Sequence, residues 1–126
     1  MQVKIDTREN FHAITIMEKA MAANMTAELE NRLLPLLQHD VRNVVLILKD
    51  IEIMDNAAAE HLVKTQQLFY DHNASFVICE LQSGVEENLD QSGLLEMMNI
   101  VPTESEAADI ISMEAIERDL LDEEEI

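Results

Sequence analysis

The stretch from Asn43 to Leu62, NVVLILKDIEIMDNAAAEHL, decides how the rest of the chain is read. Its first part, Val44-Val45-Leu46-Ile47-Leu48, is an apolar run with no polar face. Such a run reads as a strand buried on both sides, the usual state of a strand in a parallel sheet. An acidic loop carrying Asp50, Glu52 and Asp55 follows. Asn56 then offers a cap, and Ala57-Ala58-Ala59-Glu60 launches a helix. The first amides of a helix have no partner within it and point at whatever lies in front. Open α/β folds place ligands and partners where a central parallel strand passes into the next helix. This is therefore the leading candidate for function, and it suits a binding module better than an enzyme.

Working outward, Val3 and Ile5 alternate with polar neighbours, and Phe11 to Glu18 alternates again. The two segments read as strands of a hairpin at one edge of the sheet, the first with one wet face. Asn24 or Thr26 caps a helix expected to run to about Gln38, with Met25, Leu29, Leu33, Leu36 and Leu37 on one face. Glu28 and Arg32 are four apart and can pair, and Pro35 should kink this helix. The helix begun at Asn56 should reach His72, with Glu60, Lys64, Gln67 and Asp71 on its wet face and Leu62, Val63, Phe69 and Tyr70 inward. Glu60 precedes Lys64 in the orientation that favours an ion pair. Ala74 to Cys79 is a second buried strand. Ser83 with Glu86 reads as a capping box for a short helix that Gly93 stops. Ile100-Val101 is a very short last strand. Thr103 with Glu106 is a second capping box, opening a helix with Ala107, Ile110 and Ile111 inward. That helix can continue through Ile116, Leu120 and Leu121 before the acidic tail frays. The order β-β-α-β-α-β-α-β-α implies an α/β fold: a mostly parallel sheet of about five strands with an antiparallel edge strand and four main helices.

The bulk composition narrows the function. With 126 residues, 48% of them hydrophobic, the chain is expected to form one domain with a real core. Residues 1–113 are assigned to that domain and 114–126 to an extension of the last helix and an acidic tail. The net charge is -18, from 26 acidic and 8 basic side chains. That excess repels nucleic-acid phosphates and anionic lipid, so neither is expected as a partner. One cysteine, Cys79, allows no internal disulfide. No signal peptide or membrane span is visible, and a cytoplasmic location is expected.

The layout from about Val3 to Ile111 resembles the STAS domain, the fold of bacterial anti-sigma factor antagonists and of the cytoplasmic ends of sulfate transporters. Two stretches carry the resemblance. The first is the apolar strand, its loop, and Met54-Asp55-Asn56-Ala57-Ala58 opening a helix. The second is VEENLDQSGLLEMMNI, Val85 to Ile100: a short helix, a Ser-Gly-Leu step and a return into the last strand. Thr103 to Ala107 also looks like the start of the family's final helix. In the family, the first of these places typically reads Asp-Ser-Ser-Gly, and in the phosphorylated members a partner kinase modifies the second Ser. Here Asn56 stands at the first Ser, Ala57 at the second and Ala58 at the Gly. Alanine has no hydroxyl, so the resemblance implies a binding surface without that phosphorylation switch.

The resemblance therefore implies a non-enzymatic module that docks an anti-sigma factor or a related switch kinase through Met54, Asp55, Asn56, Ala57, Ala58 and Glu60. Asp55 and Asn56 alone could equally be caps. Met54, Met97 and Met98 could form an adaptable apolar patch or simply fill core gaps. The acids Asp50, Glu52 and Asp55 read as a solvated loop rather than a magnesium site. His12, His39, His61 and His72 lack ligand spacing, and Cys79 reads as a core residue. There is no G-x-S-x-G nucleophile motif or phosphate-cradling glycine loop, so no cofactor is expected. The fold also allows a scaffold role as a small subunit of a lipid-transport ATPase complex. A receiver-like phosphoacceptor at Asp50 ranks lower, because no lysine follows the last strand. Homo-oligomerisation is left open.

Overall fold

The computed structural model describes residues 1–124. Strands β1 (Val3–Thr7) and β2 (His12–Ile16) form the expected hairpin, with Val3 opposite Ile16 and Thr7 opposite His12. β3 (Ala20–Met21) leads into helix α1 (Ala23–Leu33) and a 3-10 turn, Leu34–Gln38. β4 (Val44–Ile47) is the apolar run, and β5 (Ile53–Met54) precedes α2 (Asn56–Asp71). Then follow β6 (Phe76–Cys79), α3 (Ser83–Gln91), a 3-10 turn at Leu95–Met97, β7 (Ile100–Val101) and α4 (Glu104–Glu124). The main sheet has the order β1-β2-β4-β6-β7, and only the β1–β2 pair is antiparallel.

β4 lies at the centre of that order, and every residue from Val44 to Leu48 is buried. Its alternate side chains serve two cores. Val44, Leu46 and Leu48 face a large core with Ile14, Ile16, Phe76 and Ile78, closed by Leu29 and Leu33 of α1, Leu62 and Phe69 of α2, and Val85 and Leu89 of α3. Phe69 and Phe76 pack ring to ring there, centroids 5.3 Å apart. Val45 and Ile47 face a smaller core with Phe11, Ala13, Val77 and Cys79, closed by Ala107 and Ile111 of α4. Three helices thus cover one face of the sheet and α4 covers the other.

Asn43 ties the strand ends together before β4 begins. Its side-chain amide donates to Asn10 O (2.9 Å), and its side-chain oxygen accepts from the Ser75 amide (2.7 Å). Its backbone carbonyl accepts from His12 N–H (2.8 Å). One side chain therefore satisfies backbone groups before both neighbouring strands, which would be costly if buried unpaired.

Several local expectations are corrected. Neither Asn24 nor Thr26 caps α1. Its N-cap is Ala22, because the β3–β5 pairing ends at Met21 and the helix must start at once. Thr26 is instead buried and donates back to Ala23 O (2.6 Å). Pro35 does more than kink the helix. The α-helix ends at Leu33, and the chain continues as a 3-10 turn, since proline has no N–H for the i-4 carbonyl. The box at Ser83 does not form: Ser83 is already helical, and the N-cap is Gln82, with no side-chain cap bond. Gly93 does end that segment, at φ 78, a conformation that favours glycine. The Thr103 cap is present, with Thr103 Oγ1 accepting from Glu106 N–H at 3.2 Å. Ile5 is exposed although it lies opposite Ile14 on the large-core side, because Ile5 sits on the edge strand, at the margin of that core. Glu28 pairs with Arg32 at 3.4 Å, whereas Glu60 and Lys64 make no ion pair among the described residues. The last helix runs on to Glu124, past the point where fraying was expected. Glu125 and Ile126, the end of the expected tail, lie outside the described residues.

Phe76 fills the large core at the centre of this arrangement. Phe76→Ala is expected to cost about 3–5 kcal/mol, the usual range for a buried aromatic. Ile53→Ala, at an exposed site, should change stability by no more than about 0.5 kcal/mol. Urea unfolding midpoints, at unchanged slope, check both.

Candidate functional site

The chain leaves β4 through a tightly held loop. Ile51 is buried, and its amide donates to Leu48 O at 3.1 Å. The amides of Glu52 and Ile53 both donate to the Lys19 carbonyl, at 2.6 and 3.2 Å. Asp55 N–H donates to Met21 O at 3.2 Å. These bonds stitch the loop to β3, in the two-residue ladder that pairs Ala20 with Ile53 and Met21 with Met54. Asp55 therefore arrives extended, at φ -77 and ψ 159, which is the conformation of an N-cap. Its Oδ1 accepts from Ala58 N–H at 2.7 Å. The cap is Asp55 and not Asn56, because the strand pairing ends one residue before it.

The six residues of the expected docking face divide. Asp55, Asn56, Ala57 and Glu60 are exposed. Met54 is only 5% exposed and belongs to the large core, and Ala58 is fully buried. Both are corrections: neither side chain can touch a partner. In the β3–β5 ladder, alternate residues point to opposite sides. Met54 and Met21 turn inward, and Ile53 turns out, 67% exposed. The exposed apolar side chain at this point is thus that of Ile53, with Met17, also exposed, on the strand side. The sequence reading missed Ile53 because the pairing that orients it is with a two-residue strand too short to show periodicity. Of the other methionines, Met98 is buried and Met97 exposed.

Two shallow grooves flank the site. One, of about 400 Å³, is lined by Gln2, Met17, Glu18, Lys19, Asp50, Glu52 and Gln82. Its one cation, Lys19, sits among three acids, so it is negative overall and suits a basic surface. The other, about 390 Å³ and mostly apolar, lies between Val63 and Lys64 of α2 and Leu94 and Met97, with Glu60 on its rim. Gln66 holds that second wall, donating to Met97 O (3.2 Å) and accepting from Asn99 N–H (2.7 Å).

The remaining candidate residues have structural employment. His12 is buried, with Nε2–H donating to Val41 O (2.9 Å) and Nδ1 3.0 Å from the Thr7 hydroxyl. His61 bridges the two helices, 2.9 Å from Thr26 Oγ1 and 2.8 Å from Glu30 Oε2. Cys79 is buried in the smaller core, and that burial, with the negative charges of Glu80 and Glu104, pushes its thiol up to about 12. Among the described residues no cluster of three His, Cys, Asp or Glu side chains is arranged to hold a metal. Nor is any described helix long and apolar enough to cross a membrane.

Residues 2–107 of the chain match one family model, the STAS domain. The chain belongs to the STAS family. Solved structures agree on the fold. An anti-sigma factor antagonist from Mycobacterium paratuberculosis superposes at a TM-score of 0.73 with 12% identity, over 88% of this chain and 93% of that one. A glutamate-for-serine variant of RsbS from Moorella thermoacetica gives 0.73 and 18%, over 91% and 98%. The murine anion transporter Slc26a9 gives 0.68 and 10%, over 82% of this chain and 18% of the transporter. No curated protein is significantly similar to the chain in sequence.

The burial of Met54 and of Cys79 generates two expectations. Met54→Ala should destabilise the fold by about 2–5 kcal/mol, as a core deletion does, measured by urea unfolding. Cys79, whose thiol is raised to about 12 when folded, holds its proton more tightly there than in the unfolded chain. Its contribution is fully present below the unfolded thiol value of about 8.5 and is lost as pH rises from there towards the folded value. Stability measured by denaturant at pH 8 and 10 should fall more for the parent than for Cys79→Ala. Thiol labelling at pH 8 should proceed only as fast as the protein opens.

Proposed function

We propose that this STAS domain is a non-enzymatic binding module of the anti-sigma factor antagonist type, docking a regulatory protein through the exposed start of α2. The observation that carries the reading is the set of exposed residues there. Asp55, Asn56, Ala57 and Glu60 stand open around a capped helix start, with Ile53 exposed beside them. Small side chains let a partner backbone approach the helix, and Ile53 supplies the apolar contact that alanine lacks. Asp50, Glu52, Asp55 and Glu60 form a negative rim, suited to a basic face on the partner. An anti-sigma factor or a related switch kinase is the partner this reading names. Ala57, at the family's phosphoacceptor place, has no hydroxyl, so docking is independent of phosphorylation at that place.

Affinity purification of the tagged chain from its native host tests the reading. An anti-sigma factor or switch kinase should co-purify, and Ala57→Asp should abolish the capture while keeping the fold, because acids are tolerated in a helix's first turn. Recovery of a transport ATPase instead would favour the scaffold role. With the partner in hand, surface plasmon resonance at two salt concentrations should separate two effects. Ile53→Ala should raise the dissociation rate. Glu60→Lys should mainly slow association and flatten its salt dependence. Unchanged kinetics in Ala57→Asp, Ile53→Ala and Glu60→Lys alike would place the docking surface elsewhere.

A further inference from the structure

Helix α4 outlasts the family match, which ends at residue 107, and runs to Glu124. Its first half seals the smaller core through Ala107 and Ile111. A polar cluster then fastens the middle of the helix. Glu114 accepts from Tyr70 OH (2.8 Å) and Ser75 Oγ (2.6 Å), and Arg118 donates to Ser75 Oγ (2.9 Å). Those residues define the inner face. On the outer face Met113, Ile116 and Leu120 are 60%, 60% and 54% exposed. Their spacing, i, i+3 and i+7, makes one apolar stripe about 10 Å long, the seam spacing of paired helices. The clamp on the inner face holds this stripe outward, away from any core of its own chain.

The flanks of the stripe identify what covers it. Asp109, Glu117 and Asp119 are exposed around it. Between Glu104 and Glu124 the helix carries nine acidic residues and one basic residue, Arg118, which is turned inward to Ser75. A second copy would set acidic rim against acidic rim, on a chain of net charge -18. An anionic membrane is repelled for the same reason. A helix with an apolar seam edged by lysine or arginine satisfies both the stripe and the rim. We infer that the outer face of α4 is a second docking surface, separate from the α2 site, whose occupant is a basic amphipathic helix of a partner protein.

The test uses the full chain and a 21-residue peptide with leucine at heptad positions a and d and lysine at e and g. A scrambled peptide of equal composition, with no apolar face, is the control. Fluorescence anisotropy is read at about 50 and 300 mM salt, spanning strong and weak screening. The amphipathic peptide should bind, more weakly at high salt, and at least tenfold more tightly than the scrambled one. The Met113→Gln/Ile116→Gln/Leu120→Gln variant keeps every charge and should lose at least tenfold in affinity, with circular dichroism and melting unchanged. Ile116→Gln alone should lose part of it. Ala57→Asp should bind the peptide as the parent does, which keeps this surface distinct from the α2 site. The inference is overturned if the amphipathic peptide does not bind, or if the triple variant or the scrambled peptide binds equally well. It is overturned too if sedimentation shows a dimer of the parent chain that the triple variant abolishes, because a second copy then owns the stripe.

Discussion

Everything in this domain is arranged about the two-sided burial of β4. A strand with no polar face needs a layer on each side and a neighbour at each edge, since unpaired backbone groups are costly away from water. β2 and β6 supply the edges, α1, α2 and α3 one layer, and α4 the other. Asn43 pins the strand ends where the chain enters this arrangement, and the loop after Leu48 emerges at the far end with the amides of Ile51, Glu52, Ile53 and Asp55 bound to backbone carbonyls. The start of α2 is therefore presented on a rigid base. A binding surface on such a base loses little conformational entropy when a partner docks.

The small β3–β5 ladder converts that base into a particular surface. Two residue pairs are enough to decide that Met21 and Met54 turn in and Ile53 turns out. The same pairing sets the backbone of Asp55 for capping, which spends its carboxylate on the Ala58 amide. What remains open to a partner is a set of small and acidic groups with one branched apolar side chain. That chemistry suits recognition by shape and charge. Among the described residues no group of three His, Cys, Asp or Glu side chains is arranged to hold a metal.

α4 works on different terms. The body holds it through a compact core contact and the Tyr70–Ser75–Glu114–Arg118 cluster, rather than through a long apolar seam. Burial and the nearby Glu114 carboxylate push the Tyr70 hydroxyl from its ordinary 10 up to about 12, so it stays a hydrogen-bond donor well into alkaline pH. A helix fixed on its inner face by polar groups is free to carry apolar residues on its outer face. Those residues add nothing to the fold of this chain.

The sequence alone determined the class of fold, because its strongest signals are local. Val44–Leu48 and Phe76–Cys79 are too apolar to be anything but buried strands, and the helical spacing from Asn56 to Asp71 is unbroken. It also determined the absence of a hydroxyl at position 57, since residue chemistry needs no coordinates. Only the tertiary structure decided which residues the site presents. Met54 and Ile53 are neighbours of similar hydrophobicity, and no pattern in a two-residue strand says which one faces water. Asp55 and Asn56 are equally competent caps, and the choice fell to a strand partner more than thirty residues upstream. The same holds for Thr26 and Ser83, cap residues by type that packing placed inside their helices. Short-range preferences differ by a few tenths to about one kcal/mol between such alternatives, and long-range pairing readily outweighs that.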